Sequence, residues 1–248
     1  MKSMIPLALA AASLTILPAS ALTPTEDDFE SPALLASAWQ LSEFANTKLR
    51  QNNGRLNFLV GPETDPDEDY AFVELRNNQP GFNENWQVIL DVTNKTGNGD
   101  DAGVGFWIYN ADDTRDVIFF EFYGNTAKRE RKCASASFVN DGTYLAKELE
   151  LKNPKITTGR LKVTFNSRTK LFTFHLGKFV PKQSGKGNLF VWQRMGTFSP
   201  TGFGGDARAN WNMNPGSGRF GIRLEAFAEG KVIDGNQASM DNFVLKAP

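Results

Sequence analysis

Between Gly103 and Gly124 the chain reads GVGFWIYNADDTRDVIFFEFYG, and its hydrophobic period is two. Val104, Phe106 and Ile108 alternate with Gly105, Trp107 and Tyr109. Beyond a polar NADDTRD turn, Ile118, Phe120 and Phe122 alternate with Phe119, Glu121 and Tyr123. A strand sends successive side chains to opposite faces. This stretch therefore predicts a hairpin with one aliphatic and aromatic face fit for a core. Its other face carries Trp107, Tyr109, Glu121 and Tyr123.

The same period recurs along the chain. Tyr70–Arg76 sets Ala71, Val73 and Leu75 against Phe72, Glu74 and Arg76, and Trp86–Val92 follows with Val88, Leu90 and Val92 on one face. Leu49–Val60 reads as a hairpin about Asn52-Asn53-Gly54, because Asn-Gly tolerates the positive φ of a tight turn. Ala134–Lys152 holds two short strands about Asn140-Asp141-Gly142. Leu161, Val163 and Phe165 lead through an NSRTK turn to Phe172, Phe174 and Leu176. Leu189–Trp192, Phe220–Phe227 and Ala238–Leu245 are strand-like, and Ser199–Gly218 is a long Gly/Asn/Pro loop carrying Phe203 and Trp211. Only Ser31-Pro32 before ALLASAW suggests a helical turn, with Ser as N-cap and Pro at the first position. Many short strands separated by turn signals predict an all-β sandwich or barrel. No repeat with a solenoid or propeller period is present.

Residues 1–21 read as a secretory signal: Lys2, the apolar Ile5–Leu17, then Ala19-Ser20-Ala21 as an A-x-A cleavage site. The run is short of the roughly 20 residues that span a bilayer and is broken by Pro6 and Pro18. Cleavage after Ala21 leaves a single β-domain over 22–248, exported to the periplasm or the exterior, with no membrane span. One cysteine, Cys133, rules out an intramolecular disulfide and is expected to be a semi-buried small residue. The net charge of −1 provides no basic field for nucleic acid. The 20 Phe and 5 Trp suit a sandwich with aromatic faces.

Asp27-Asp28-Phe29-Glu30, GVGFWI, FFEFYG and the closing SMDNFVL resemble bacterial secreted domains of the concanavalin A-like lectin/glucanase superfamily, near its laminin-G-like branch. The resemblance is one of pattern over most of residues 22–248. It implies an antiparallel two-sheet jelly-roll sandwich, one sheet concave, with carbohydrate as the commonest ligand. A fold does not fix a function.

The catalytic patterns of that superfamily are broken here. Its glucanases carry E-x-D-x-E on a strand, which puts three carboxylates on one face. The closest match, Glu63-Thr64-Asp65-Pro66-Asp67, ends in Asp and contains a proline that disfavours a central strand. Alginate-lyase-type jelly rolls carry R-x-E-L-R and Q-I-H. Glu74-Leu75-Arg76 lacks the leading Arg, and the only histidine, His175, has no Gln-Ile before it. One His and one Cys exclude a His/Cys zinc site, and no G-x-S-x-G elbow is present. Asp65, Asp67 and Asp69 begin like a calcium loop, but Tyr70 stands where Gly is needed and Arg76 where Glu is needed. In jelly rolls the first and last strands tend to lie side by side, so Asp28 and Asp241 are the expected pair for a structural calcium, or else two strand-end caps.

If Ala71, Val73, Leu75, Phe106, Ile108, Phe120, Phe122, Ile222 and Leu224 face the core, then Glu74, Arg76, Trp107, Tyr109, Glu121, Tyr123, Arg223 and Glu225 share the opposite side. Aromatic rings stack on sugar rings while carboxylates and guanidinium groups bind hydroxyls. The competing expectation is a packed face covered by the Ser199–Gly218 loop, with Arg223 and Glu225 in cross-strand pairs. The sequence thus supports a non-catalytic glycan-binding or surface-interaction domain using this face. A glycoside hydrolase or lyase with Glu121, Glu74 or Glu225 as acid or base is the alternative, and a structural domain without small ligand the third reading.

Overall fold

The computed structural model describes residues 22–64, 69–97, 101–124, 132–152, 156–182, 186–202, 209–214 and 218–248. Residues 1–21, and with them the expected signal, Asp65, Asp67 and Phe203 lie outside them. Among the described residues fifteen strands follow one another. They are β1 (Thr25–Asp27), β2 (Trp39–Glu43), β3 (Thr47–Gln51), β4 (Leu56–Val60), β5 (Tyr70–Leu75), β6 (Trp86–Asn94), β7 (Ala102–Asn110) and β8 (Asp113–Phe122). Then come β9 (Ala134–Asn140), β10 (Thr143–Leu151), β11 (Thr158–Asn166), β12 (Leu171–Pro181), β13 (Asn188–Phe198), β14 (Phe220–Ala228) and β15 (Ile233–Lys246).

They form two antiparallel sheets. One runs β13-β12-β11-β6-β15-β4-β3, with β1 added on β15, and the other runs β10-β9-β8-β7-β14-β5-β2. The hairpin expectations hold. Phe106 lies opposite Phe120 and Ile108 opposite Ile118. Asn53 and Gly54 turn β3 into β4 at φ of 53° and 65°. The β7–β8 turn is tighter than the sequence suggests. Strand pairing reaches Asn110 opposite Asp113, and a register shift beside Tyr109 absorbs the extra residues. Strands β9 and β10 fill the expected Ala134–Lys152 span, β13 runs past the expected Leu189–Trp192, and β2 lies where the sequence predicts no strand. Before β2 the chain makes one turn, with Ala38 and Trp39 N–H both donating to the Leu35 carbonyl, and no helix follows.

The nine residues expected to face inward from the second sheet are all buried to 1% or less. They meet Val88, Leu90, Leu161, Val163, Phe172, Phe174 and Leu176 of the first. Rings bridge the layers: Phe120 stands edge-on to Phe174 at 5.4 Å, and Phe138 stacks on Phe198 at 4.1 Å. Truncating such a ring to Ala costs about 3–5 kcal/mol. Cys133 is wholly buried rather than semi-buried, so it serves as a core residue. At one end Trp39 packs on Phe243 at 5.0 Å and donates its indole N–H to Asp27 Oδ2 at 2.7 Å. There Asp27 pairs with Phe243, so the first and last strands do lie side by side. At another point of the core, Trp211 fits against Phe198 and Phe172, and its indole donates to the Val139 carbonyl at 3.1 Å.

Candidate functional site

The outward face of the second sheet is ordered by strand register. One cross-strand row runs Glu74, Arg223, Trp107, Phe119, Ser137, and the next runs Phe72, Glu225, Gly105, Glu121, Ser135. Glu121 and Glu225 therefore flank a glycine. A Cβ on Gly105 would lie 2.0 Å from the Phe120 carbonyl oxygen, so no side chain fits between them. Gly221 has the same effect farther along, where the Tyr109 ring lies 2.0 Å from the position of its missing Cβ.

The eight residues expected on this face separate into groups. Trp107, Glu121, Tyr123 and Glu225 line one cavity of 580 Å³, with Phe119, Lys132, Tyr144 and Phe227. Glu74, Tyr109 and Arg223 are locked together beside it. Glu74 accepts from the Tyr109 hydroxyl and from Arg223 Nε at 2.9 Å. The Arg223 guanidinium lies 4.5 Å from the Phe72 ring and 4.8 Å from the Tyr109 ring. Burial and the Glu74 carboxylate push the Tyr109 hydroxyl up to about 12. Tyr109 is thus a buried brace and not a contact surface. Arg76 leaves the face altogether. It follows the end of β5, and its Nε donates to the Trp39 carbonyl at 3.2 Å. Of the expected cross-strand pairs, Arg223 makes one, with Glu74 at 2.9 Å, whereas Glu225 Oε2 has no hydrogen-bond partner.

Within the cavity, Glu121 accepts from the Tyr123 hydroxyl at 2.6 Å, which also lies 3.3 Å from Ser135 Oγ. Glu225 is 5% exposed. Its Oε2 is buried without a hydrogen-bond partner, as is the Trp107 indole nitrogen. Burial raises the pKa of both carboxyls, and for Glu225 the nearby Glu121 charge adds to the effect. Lys132 closes one wall through its ion pair with Glu148 at 2.7 Å.

Tyr144 was not anticipated. It is 68% exposed and lies parallel to Phe119 at 5.9 Å, while Phe119 stands edge-on to Trp107 at 4.6 Å. Its signal was weak because a single Tyr after an Asp-Gly turn reads as strand filler. The long loop does not bring its tryptophan over this face, since Trp211 turns into the core. On β8 the outward positions Val117, Phe119 and Glu121 carry one carboxylate, not the three of an E-x-D-x-E strand.

The other expectations fall elsewhere. His175 projects from β12 on the outer face of the first sheet, its ring 6.4 Å from Trp192. Burial and the cations Lys162 and Arg194 hold its pKa below the usual value. Asp28 accepts from Glu30 N–H at 3.1 Å, and Asp241 from Asn242 N–H at 2.7 Å. Among the described residues no group of three or more Asp, Glu, His and Cys is placed to hold a metal ion. No helix among them is long and apolar enough to cross a membrane.

No protein-family model matches the chain, and no curated protein matches it in sequence. Solved structures do match its shape. A glycosyl hydrolase family 16 protein of Mycobacterium smegmatis superposes with a TM-score of 0.50 at 16% identity, covering 91% of this chain and 100% of that one. A protein of Mycobacterium tuberculosis described as a pseudo β-1,3-glucanase gives 0.53 at 16%, covering 92% and 100%. The β-glucanase of Bacillus licheniformis gives 0.52 at 11%, covering 91% and 98%. Two antiparallel sheets stacked in the order found here, matched over nine-tenths of the chain by these sandwiches, give this protein a concanavalin A-like jelly-roll fold.

Proposed function

We propose that the chain is an exported, non-catalytic glycan-binding domain, and that the cavity between β8, β9, β10 and β14 holds the sugar. The observation that carries this reading is the run of rings Tyr144, Phe119 and Trp107 opening on the same cavity as Glu121. A pyranose offers one apolar face and a rim of hydroxyls. An open aromatic surface beside a few polar groups meets both needs. The V-x-F-x-E run on β8 supports binding over hydrolysis, because its outward side chains include one carboxylate, Glu121, rather than the three of the E-x-D-x-E pattern. The description of the M. tuberculosis neighbour as a pseudo-glucanase supports it in the same sense.

A second reading has its own observation. Glu121 and Glu225 face each other across Gly105, two strand spacings apart or roughly 9.5 Å between backbones. Both have raised pKa values, as a proton-donating carboxyl does. Glu225 counts against this, since its carboxyl is sunk below the surface with Oε2 closed to solvent. Glu74 drops out as a candidate acid because Arg223 and Tyr109 hold it.

A glycan-array screen with a parallel reducing-end release assay tests both. Tyr144→Ala, at an exposed position, is expected to keep the melting temperature and weaken binding about tenfold. Glu121→Gln is expected to keep the fold, with no release of reducing ends by parent or variant. Release by the parent that Glu121→Gln abolishes replaces the binding reading with the enzymatic one. A Tyr144→Ala protein that binds every ligand of the parent equally well removes the site.

A further inference from the structure

The opposite outer face of the sandwich carries a second cavity, of 360 Å³, on the first sheet. One row of that sheet reads Asp241, Asp91, Arg160, Gly177, Trp192 across β15, β6, β11, β12 and β13. Between Arg160 and Trp192 the row has no side chain, because Gly177 stands there. The rings of Phe190 and Trp192 lean over that gap, with Phe190 Cζ only 2.4 Å from where a Cβ would stand. Phe179, 67% exposed, meets Phe190 edge-on at 5.3 Å and makes an open aromatic corner. The face of Trp192 is taken by Lys162 Nζ at 4.2 Å and that of Phe190 by the Arg160 guanidinium at 5.6 Å, so Phe179 is the ring left to a ligand.

The facing wall is polar and fixed. Asp91 takes two hydrogen bonds from Arg160, through Nε and through Nη2 at 2.7 Å, and a third from Asn242 Nδ2 at 3.1 Å. Such a bidentate pair fixes the guanidinium plane, and the Arg160 side chain stays 41% exposed. Asn242 reaches the wall because β15 bulges between Asp241 and Val244, which sets its φ at 49°. A bulge with a left-handed non-glycine residue costs stability, and such features gather at binding sites. Asp241 adds an acceptor whose nearest cation, Arg55, is 4.0 Å away.

We propose that this cavity is a second glycan-binding site, on the face opposite the first, with a pyranose ring stacked on Phe179 and its hydroxyls shared among Arg160, Asp241 and Asn242. The chemistry selects this occupant. A protein partner would need an extended patch of roughly 800 Å², whereas the open apolar area here is a corner one ring wide, walled by charge. A flat ring with in-plane donors and acceptors fits a corner between an aromatic edge and a planar Arg–carboxylate–carboxamide plate. Two sites on opposite faces make the domain bivalent toward a polysaccharide, so that avidity exceeds either affinity.

Affinity electrophoresis of the full mature chain in gels containing laminarin, lichenan, alginate or polygalacturonate tests the site, with Phe179→Ala, Asn242→Gly and Trp107→Ala run beside the parent. Glycine suits the backbone at residue 242 and removes only the carboxamide, so this variant keeps the test informative if Phe179→Ala unfolds. Retardation of the parent by at least one polysaccharide is expected, weakened about tenfold by either first-sheet change with an unchanged melting temperature. Neutral glucans as ligands indicate hydroxyl recognition, and uronates alone indicate a sugar carboxylate on Arg160; both uphold the site. Retardation by none of the four overturns the proposal, and so does retardation insensitive to both Phe179→Ala and Asn242→Gly. If Trp107→Ala alone weakens binding, the first site stands and this one falls; the reverse pattern leaves this one and removes the first.

Discussion

Glu225→Gln should make the protein more stable at neutral pH and leave it unchanged in acid. Glu225 is 5% exposed, and its Oε2 has no partner. Burial, and then the Glu121 charge, raise its folded pKa well above 4.5, with Arg223 opposing. The folded state therefore holds a proton that the unfolded chain releases above about pH 4.5. Below that pH both states are protonated, and the group contributes no penalty relative to Gln. Above it, stability falls by up to ~1.4 kcal/mol per pH unit until the folded pKa is passed. Two units above, the ceiling is roughly 3 kcal/mol. Gln keeps the shape and cannot ionise, so the variant should gain on the parent by that slope. Urea unfolding of both proteins at pH 4, 5, 6 and 7 measures it. Glu121 titrates in the same direction, so its effect is present in both proteins and cancels to first order. Its coupling to Glu225 is read by repeating the series in a Glu121→Gln background. A difference that stays constant from pH 4 to 7, or that favours the parent as pH rises, would refute a buried, protonated Glu225.

Three further outcomes follow from other parts of the molecule. Trp211→Ala should cost about 3–5 kcal/mol in urea unfolding, since the loop residue is a core side chain; a cost under ~1 kcal/mol would mean that the loop is only a surface cover. Calcium at Asp28 and Asp241 stays a proposal carried by the meeting of β1 and β15. If it binds there, EDTA lowers the melting temperature of calcium-loaded protein by mass action, and an unchanged curve removes it. Export with cleavage after Ala21 is likewise a proposal, and N-terminal sequencing of the secreted chain should begin at Leu22; a retained Lys2 in the exported protein would contradict it.

The sandwich was legible because its core strands alternate cleanly. Val104, Phe106 and Ile108 could face only one way together, and Asn53-Gly54 could do little but turn. The site was legible only as a list of neighbours on a face. Periodicity assigns a side, but not which side chains reach one another. Tyr109 shares the alternation of Trp107, yet it lies down over Gly221 to meet Glu74 and becomes internal. Arg76 shares the alternation of Glu74, yet the strand ends before it. The second cavity was not legible at all. Phe179 and Phe190 sit in apolar runs, FVP and LFVW, where both alternating sets are hydrophobic and the period is silent about which faces out.

The order in which the chain is made differs from the order in which the sheets are filled. Strand β14 lies between β7 and β5, and β15 lies between β6 and β4. Strands β14 and β15, which follow all the other described strands in sequence, are thus interior strands of the two layers. Until residues 220–246 have emerged, β4 and β5 lack the neighbours that join them to the rest, and the apolar sides of Phe58 and Val73 stay uncovered. Growth from one end cannot build this sandwich by accretion. It closes late, through contacts of long sequence separation, which makes folding slow and leaves the nascent sandwich open until β14 and β15 arrive.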